Sequence, residues 1–408
     1  NIRQPELFHY LLHVAEKDNL VEKHDDSYKI LRDIISIPHP NDLSDNIKGN
    51  YPFVCGLVNM LMYSVSCYDD IFSGKKENVD VFYNDETGMY KNEYQGDPLR
   101  FEKHDIYKYA AAGLLKLILD AADEGKINIR EVGGGTGKLT SLLIPELDWR
   151  SNVSFHFTDI SLAFISEAAE LGKKLGLGFM KYDTLDITTD AVKQGFQASS
   201  YNIIIAYDVI HTSVNIKDTI SNLNSLLAPG GIIIMVESVH NKRWTNMIWG
   251  LQTGWWNFKD ERIKTNSPLL SLDEWDELLK GTDSNFISSY PLQELERNNS
   301  AFGMIVMQRA LNEQGLIPDL DILLRIDPLT QNIADSPLTP VKDNSDKVFI
   351  LNSPGKNKPV LTADYAYYSD NFIRPAGVLS DFLKDIKNNK ASGKDETIYI
   401  RNTPSSFH

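Results

Sequence analysis

Between Ile127 and about Ala310, five short runs rich in β-branched and aromatic residues alternate with amphipathic stretches of helical spacing. The runs are INIREV, NVSFHFTDI, GLGFMKYDTLDI, SYNIIIAYDVI and GGIIIMVES. Between them lie KLTSLLIPEL, SLAFISEAAELGKKLG and VNIKDTISNLNSLLAPG. A chain that alternates in this way pairs its strands in parallel, because each crossover returns over one side of the sheet. Two later runs, NFISSYPLQEL and AFGMIVMQRAL, have no helix-length segment between them and read as an antiparallel hairpin closing the sheet edge. The expected class is α/β: a seven-stranded, mostly parallel sheet with helices on both faces.

The flanks differ. Residues 1–125 read as a helical N-terminal subdomain, with ELFHYLLHVAEK, SYKILRDII and CGLVNMLMYSV at helical spacing and DIYKYAAAGLLKLILDAADEGK closing at Gly125. Within it, residues 69–98 are polar and turn-rich and read as a loop or lid. Residues 126–311 form the expected core. Residues 312–408 begin Pro/Asp/Asn-rich and read as a linker with a partial strand–helix–strand unit. At 408 residues the chain suits two or three folding units, and its opening, NIRQPELF, suits a piece excised from a longer polypeptide. A formal charge of −15 disfavours a nucleic-acid partner, and no apolar run is long enough for a membrane span. Cys55 and Cys67 are too few for a disulfide framework and read as free thiols of a cytoplasmic protein.

The turn after the first core strand reads INIREVGGGTGKLTSL. A dinucleotide fingerprint needs a third glycine three residues after the second, and Lys138 stands there instead. What is present is Glu131 followed by Gly133, Gly135 and Gly137. An acid two residues before the first glycine suits a compact, cationic ligand better than a pyrophosphate. S-adenosyl-L-methionine (SAM) brings an ammonium, a sulfonium, a ribose and an adenine, and a helix N-terminus at Lys138 adds donors for its carboxylate. Asp159 ends the next strand, where an acid meets a ribose diol in wound α/β folds. Asp186 ends the third strand in KYDTLDI, with Ile187 next to it, where a side chain can reach an adenine, and Tyr207 and Asp208 end the fourth. Four successive strands therefore offer groups at their carboxyl ends.

His211 follows the fourth strand in IIIAYDVIHTS, and Glu237 ends the fifth in GGIIIMVES. Adjacent strands bring both to one rim, where a His backed by a carboxylate is a general base. Trp244, Trp249, Trp255 and Trp256 crowd the next segment, where aromatics either pack a core or wall an acyl pocket. Core packing is the simpler role for at least two of them.

These motifs, EVGGGTG, FTDIS, YDVIHTS, LLAPGGIIIMVE, GLQTGWWNF and PLLSLDEWDELL, occur in that order. Over roughly residues 71–310 the sequence resembles the methyltransferase domains embedded in polyketide synthases. The resemblance implies a class I SAM-dependent fold with a helical N-terminal lid and a catalytic dyad at His211 and Glu237. It implies methyl transfer to the α-carbon of a β-ketoacyl or malonyl-type thioester on the phosphopantetheine arm of an acyl carrier protein, inside a multidomain synthase. Tyr94, Trp249, Trp255 and Trp256 are pocket candidates; Lys242, Arg243, Lys259, Arg262 and Lys264 are candidates for docking an acidic carrier. Most carbon-methylating members carry Asn where Asp208 stands, and oxygen-methylating ones often carry a segment like Asp260-Glu261-Arg262, so O-methylation of a β-hydroxyl is the alternative. A non-catalytic SAM-fold scaffold is another. A loading-module branch binds iron through this His and a Gln at the Glu237 position; no metal is expected here.

Overall fold

The computed structural model describes residues 3–25, 27–31, 37–51, 55–83, 107–239, 242–252, 254–292, 294–298, 300–310, 316–320, 348–351 and 398–401. The chain divides into two compact units, one of residues 1–104 with 241–269 and one of 105–240 with 270–408. The expected boundary at 125 falls elsewhere for a physical reason. Helix Tyr107–Ala121 buries Ala111, Leu114, Leu115 and Ile118, and it contacts sheet strands of the second unit. The Trp-rich segment after residue 241 joins the first unit instead.

The first unit holds a short hairpin, β1 (Val21–His24) and β2 (Ser27–Ile30), and helices Pro5–Lys17, Pro40–Asn50, Cys55–Ser73, Asn78–Tyr83 and Arg243–Trp249. Helix Cys55–Ser73 buries Met60, Ser64, Cys67, Tyr68 and Ile71, the three- and four-residue spacing of one helical face. That face packs with Leu7, Tyr10, Val81, Phe82, Ile248 and Leu251 in one apolar cluster. SYKILRDII, expected as helix, contains β2.

The second unit is built on seven strands: β3 (Ile127–Val132), β4 (Val153–Asp159), β5 (Met180–Thr184), β6 (Tyr201–Tyr207), β7 (Leu227–Ser238), β8 (Ser284–Tyr290) and β9 (Phe302–Arg309). Their order is β5-β4-β3-β6-β7-β9-β8; β3 through β7 pair in parallel, and β9 runs antiparallel to both neighbours. Alternation along the central strands sends side chains to two faces. Ile204, Ala206, Ile233, Met235, Ile305 and Met307 meet helices Ile216–Leu226 and Leu272–Leu279 in one apolar cluster. Helix Tyr107–Ala121 contacts β7 and β9. Helix Ile216–Leu226 is started by the Asn215 side chain accepting the Asp218 N–H at 3.2 Å, and helix Leu272–Leu279 by a Ser271–Glu274 capping box.

The strand order reverses at β3, where β4 and β5 extend one way and β6 is laid down on the other side. The crevice at the carboxyl ends of β3 and β6 is where such sheets take ligands. In the tail, β10 (Val348–Leu351) and β11 (Ile398–Arg401) pair antiparallel as a separate two-stranded sheet; the helix expected between them lies outside the described residues. Among the described residues no helix is long and apolar enough to cross a membrane.

Candidate active site

At the end of β3 the chain turns through Gly133, Gly135 and Gly137, all with positive φ. A Cβ on Gly133 would collide with the Val209 side chain, so this glycine lets the loop after β3 close against the loop after β6. A Cβ on Gly135 would meet nothing nearer than 3.9 Å. Here the left-handed φ of +52° is what requires glycine, and the space beside it is open. The loop is pinned by Asp159, whose carboxylate accepts the Gly135 N–H at 2.9 Å and the Ser161 N–H at 2.8 Å. The helix after the loop begins at Thr140, two residues later than expected, and the Thr140 hydroxyl donates to the Glu131 carboxyl. Glu131 is 1% exposed, and burial pushes its pKa up to about 8, with Asp159 adding to the rise and the Thr140 bond opposing it.

Asp186 lies two residues beyond the end of β5 rather than on it. Its carboxylate accepts from the Thr188 N–H at 2.9 Å and the Thr188 hydroxyl at 2.6 Å, and so shapes the turn that follows. Ile187 is buried in the apolar cluster of this unit. Tyr207 is the last residue of β6 and half-buried.

One strand over, β6 and β7 deliver the acid–base pair. The His211 Nδ1 lies 2.7 Å from Glu237 Oε2. Glu237 is fully buried, and its Oε1 accepts the Val209 N–H at 3.1 Å and the Ile210 N–H at 2.7 Å, while Oε2 also accepts the His211 N–H at 3.4 Å. Three successive backbone donors thus hold the carboxylate, and the carboxylate holds the ring. An acceptor at Nδ1 places the ring proton there and leaves Nε2 as the basic nitrogen. Asp208 stands beside the pair at a positive φ of 52°, a conformation that costs a side-chain-bearing residue energy and clusters at functional sites. Its Oδ1 accepts from the Ser238 N–H at 3.2 Å and the Ser238 hydroxyl at 2.7 Å and lies 3.7 Å from His211 Nδ1.

A methyltransferase-domain family model matches residues 131–233, the stretch from Glu131 into β7. The chain is 32% identical over 207 residues to the highly reducing polyketide synthase sthA of Phaeosphaeria nodorum, covering 50% of this chain and 7% of that protein. It is 28% identical over 291 residues to a highly reducing polyketide synthase of Aspergillus terreus, covering 64% of this chain and 10% of that one. Among solved structures it superposes on the CurJ carbon methyltransferase with a TM-score of 0.62 at 28% identity, over 75% of this chain and 80% of that one. In sequence and fold the chain is thus similar to methyltransferase domains of polyketide synthases. It spans a tenth or less of the length of these two synthases. The DszA carbon methyltransferase, at 22% identity and a TM-score of 0.64 over 76% of this chain and 80% of that one, shares the fold.

SAM is the methyl donor that the sequence motifs imply. The residues present suit it: open space beside Gly135, a strand-end acid at Asp159, and a buried carboxyl at Glu131 whose raised pKa marks a place where a positive charge would be welcome. For a metal, Asp208, His211 and Glu237 each bring one donor atom within 4.8 Å of the others. Those donors are already committed: the ring nitrogen and Oε2 share a hydrogen bond, and both Glu237 oxygens accept backbone N–H groups.

The tryptophans lie in the first unit. Trp249 stacks on Phe82 with centroids 5.7 Å apart, and Trp256 lies 5.5 Å from Tyr10 and donates to the Gly250 carbonyl at 2.9 Å. Trp255 is buried and donates to Asn246 Oδ1 at 3.0 Å. Packing within this unit accounts for all three indoles. Tyr94 lies outside the described residues. Arg262, grouped above with the docking cations, is 1% exposed; its Nε donates to Asp260 Oδ1 at 2.7 Å and its Nη1 to the Pro268 carbonyl at 3.1 Å. The Asp260–Arg262 pair is therefore a local brace. Arg243 pairs with Asp18 at 2.8 Å; Lys242, Lys259 and Lys264 are exposed. Thr140 and Ser238 went unread in the sequence. Both are small hydroxyl residues whose only signal is the acid they touch.

Proposed function

We propose that this domain methylates the α-carbon of a β-ketoacyl or malonyl-type thioester carried on an acyl carrier protein. The supporting observation is the His211–Glu237 pair, a ring whose tautomer is set by a fully buried carboxylate that three backbone N–H groups hold in place. Bound SAM supplies an electrophilic methyl group. His211 Nε2 removes the α-proton of the acyl unit, leaving the electron pair on carbon as an enolate that displaces the sulfur from the methyl. Glu237 stabilises the imidazolium formed in that step and keeps the ring from turning. General-base assistance of this kind contributes about 10²–10⁴-fold, and holding both reactants in one orientation contributes more. Glu131, Asp159 and the glycine turn hold the donor, with Asp186, Ile187 and Tyr207 bordering its nucleoside. Exposed Lys242, Lys259 and Lys264 offer positive charge to an acidic carrier, and linkage within one synthase offsets weak affinity by raising effective concentration.

The test is incubation with SAM and a panel of malonyl-, β-ketoacyl- and β-hydroxyacyl-carrier proteins, followed by fragmentation mass spectrometry. A methyl on the α-carbon of the β-ketoacyl or malonyl unit is the expected result. A methyl on the β-oxygen of the hydroxyacyl carrier alone would replace this reading with O-methylation, and turnover of none would leave a SAM-binding scaffold.

A further inference from the structure

Glu237 gathers its three backbone donors only because the chain turns sharply after β6, and Asp208 makes that turn. β6 and β7 pair in parallel as far as Tyr207 and Val236, and the Asp208 N–H adds one more bond, to the Val236 carbonyl at 2.7 Å. At Asp208 the backbone passes into left-handed space, with a φ of 52°, and the next three residues bring their N–H groups round to Glu237. Such a conformation strains a residue that carries a side chain, and it persists only where the surroundings fix it.

Ser238 supplies the fixing contact. Asp208 Oδ1 accepts the Ser238 N–H at 3.2 Å and the Ser238 hydroxyl at 2.7 Å. Asp208 is therefore bonded to the residues on both sides of Glu237: to Val236 through its backbone and to Ser238 through its side chain. The end of β7 is itself anchored on β9, where Glu237 pairs with Gly303 and Ser238 with Phe302, and the Val239 N–H donates to the Ala301 carbonyl at 3.0 Å. β7 is thus the fixed side of a clasp, and the turn that leads to His211 is the side being held. Negative charge is not what the clasp requires, because the oxygen of an amide accepts the same two bonds.

We propose that Asp208 is a positioning residue for the base. Its side-chain oxygen, clasped by Ser238, fixes the left-handed turn that brings the N–H groups of residues 209–211 onto Glu237, and so sets the aim of the His211 ring. Asp208 acts here through Glu237 and needs no contact with donor or acceptor. The catalytic consequence rests on the reading of His211 as the base, whereas the geometry itself is read without turnover.

The test compares Asp208→Ala, Asp208→Gly, Asp208→Asn and Ser238→Ala in the 408-residue chain. The readouts are the hydrogen-bonded Nδ1 proton of His211 by NMR and, at alkaline pH, methyl transfer to a β-ketoacyl carrier protein. Ala and Gly both remove the oxygen acceptor, but Gly takes up the left-handed turn without strain. Both should lose the Nδ1 signal and lower kcat about 10–10²-fold with KM for the carrier unchanged, the cost of a misplacement of about 1 Å. Asp208→Asn, which restores an oxygen acceptor, should recover most of the signal and of kcat. Ser238→Ala keeps the backbone donor and should fall between, and adding it to Asp208→Ala should cost little more, since both remove one contact. Asp208→Gly matching the wild type in signal and rate would overturn the proposal, as would Asp208→Asn falling as far as Asp208→Ala. Loss of the signal in the Ala and Gly variants with wild-type turnover, matched by full activity of His211→Ala, would uphold the clasp and remove His211 as the base.

Discussion

Glu131 and Glu237 are both buried carboxyl groups on the second unit's sheet, the first near the end of β3 and the second near the end of β7, yet their surroundings are opposite in kind. Glu237 meets donors on both oxygens: three backbone N–H groups and the His211 ring. Glu131 has donors from one residue, the Thr140 hydroxyl and backbone N–H, and a neighbouring acid, Asp159, and its pKa is pushed up to about 8. Burial alone does not set the role of an acid; the count of donors around it does. At one end of the rim the fold has already supplied a carboxylate with its partners, which suits an acid that must stay fixed through a reaction. At the other it leaves a carboxyl short of partners, which suits one that gains its counter-charge from a ligand.

The largest expected effect comes from removing the group that the donor-rich acid serves. His211→Ala should lower methyl transfer to a carrier-bound substrate by about 10²–10⁴-fold while SAM affinity stays within error, because the ring belongs to the acceptor side. Gly135→Val comes next. It forces a β-branched residue to a φ of +52°, with about 1–3 kcal/mol of strain, and fills the space beside the loop. SAM affinity, measured by calorimetry, should fall at least roughly tenfold, and the strain should lower the melting temperature of the apo-protein by about 2–4 °C per kcal/mol.

The third prediction concerns the donor-poor acid. Folding raises the Glu131 pKa from 4.5 to about 8, so the stability linked to its protonated form is complete below about 4.5 and is lost as pH rises through about 8. Chemical denaturation across that window should show this loss, with a slope of at most about 1.4 kcal/mol per pH unit, and Glu131→Gln should flatten it. A cation bound beside the carboxyl favours its ionised form, so SAM affinity should increase with pH over the same range in the wild type and not in Glu131→Gln. Affinity that is pH-independent in both would separate Glu131 from the donor. The smallest effect is reserved for Asp208, whose carboxylate lies 3.7 Å from His211 Nδ1 and is mainly engaged with Ser238. Asp208→Asn should move the acid limb of the pH–rate profile to lower pH by under about one unit, as a nearby negative charge is withdrawn.

The two ends of the rim also differ in how far they were legible in the sequence. Strands such as IIIAY and GGIIIMVES announce themselves because, buried on both faces, they are apolar without interruption, and the acid and His at their ends then stand out. The glycine turn is legible for a similar reason, since few sequences need left-handed backbone at three alternating positions. What escaped depends on contacts distant in the chain. Residues 241–269 join the first unit because Ile248, Leu251 and the tryptophans pack with Leu7, Tyr10 and Phe82, and nothing in their local pattern says so. Arg262 looks like a surface cation until Asp260 and the Pro268 carbonyl enclose it.

The acceptor-side chemistry rests on which nitrogen of His211 carries the proton. Nitrogen NMR of the protein labelled at histidine, assigned with His211→Ala, reads this directly near neutral pH. The expected result is a neutral ring protonated at Nδ1, hydrogen-bonded to Glu237, with Nε2 unprotonated and able to accept. A ring protonated at Nε2 alone, or one whose signals are unchanged by Glu237→Gln, would contradict the dyad as the base.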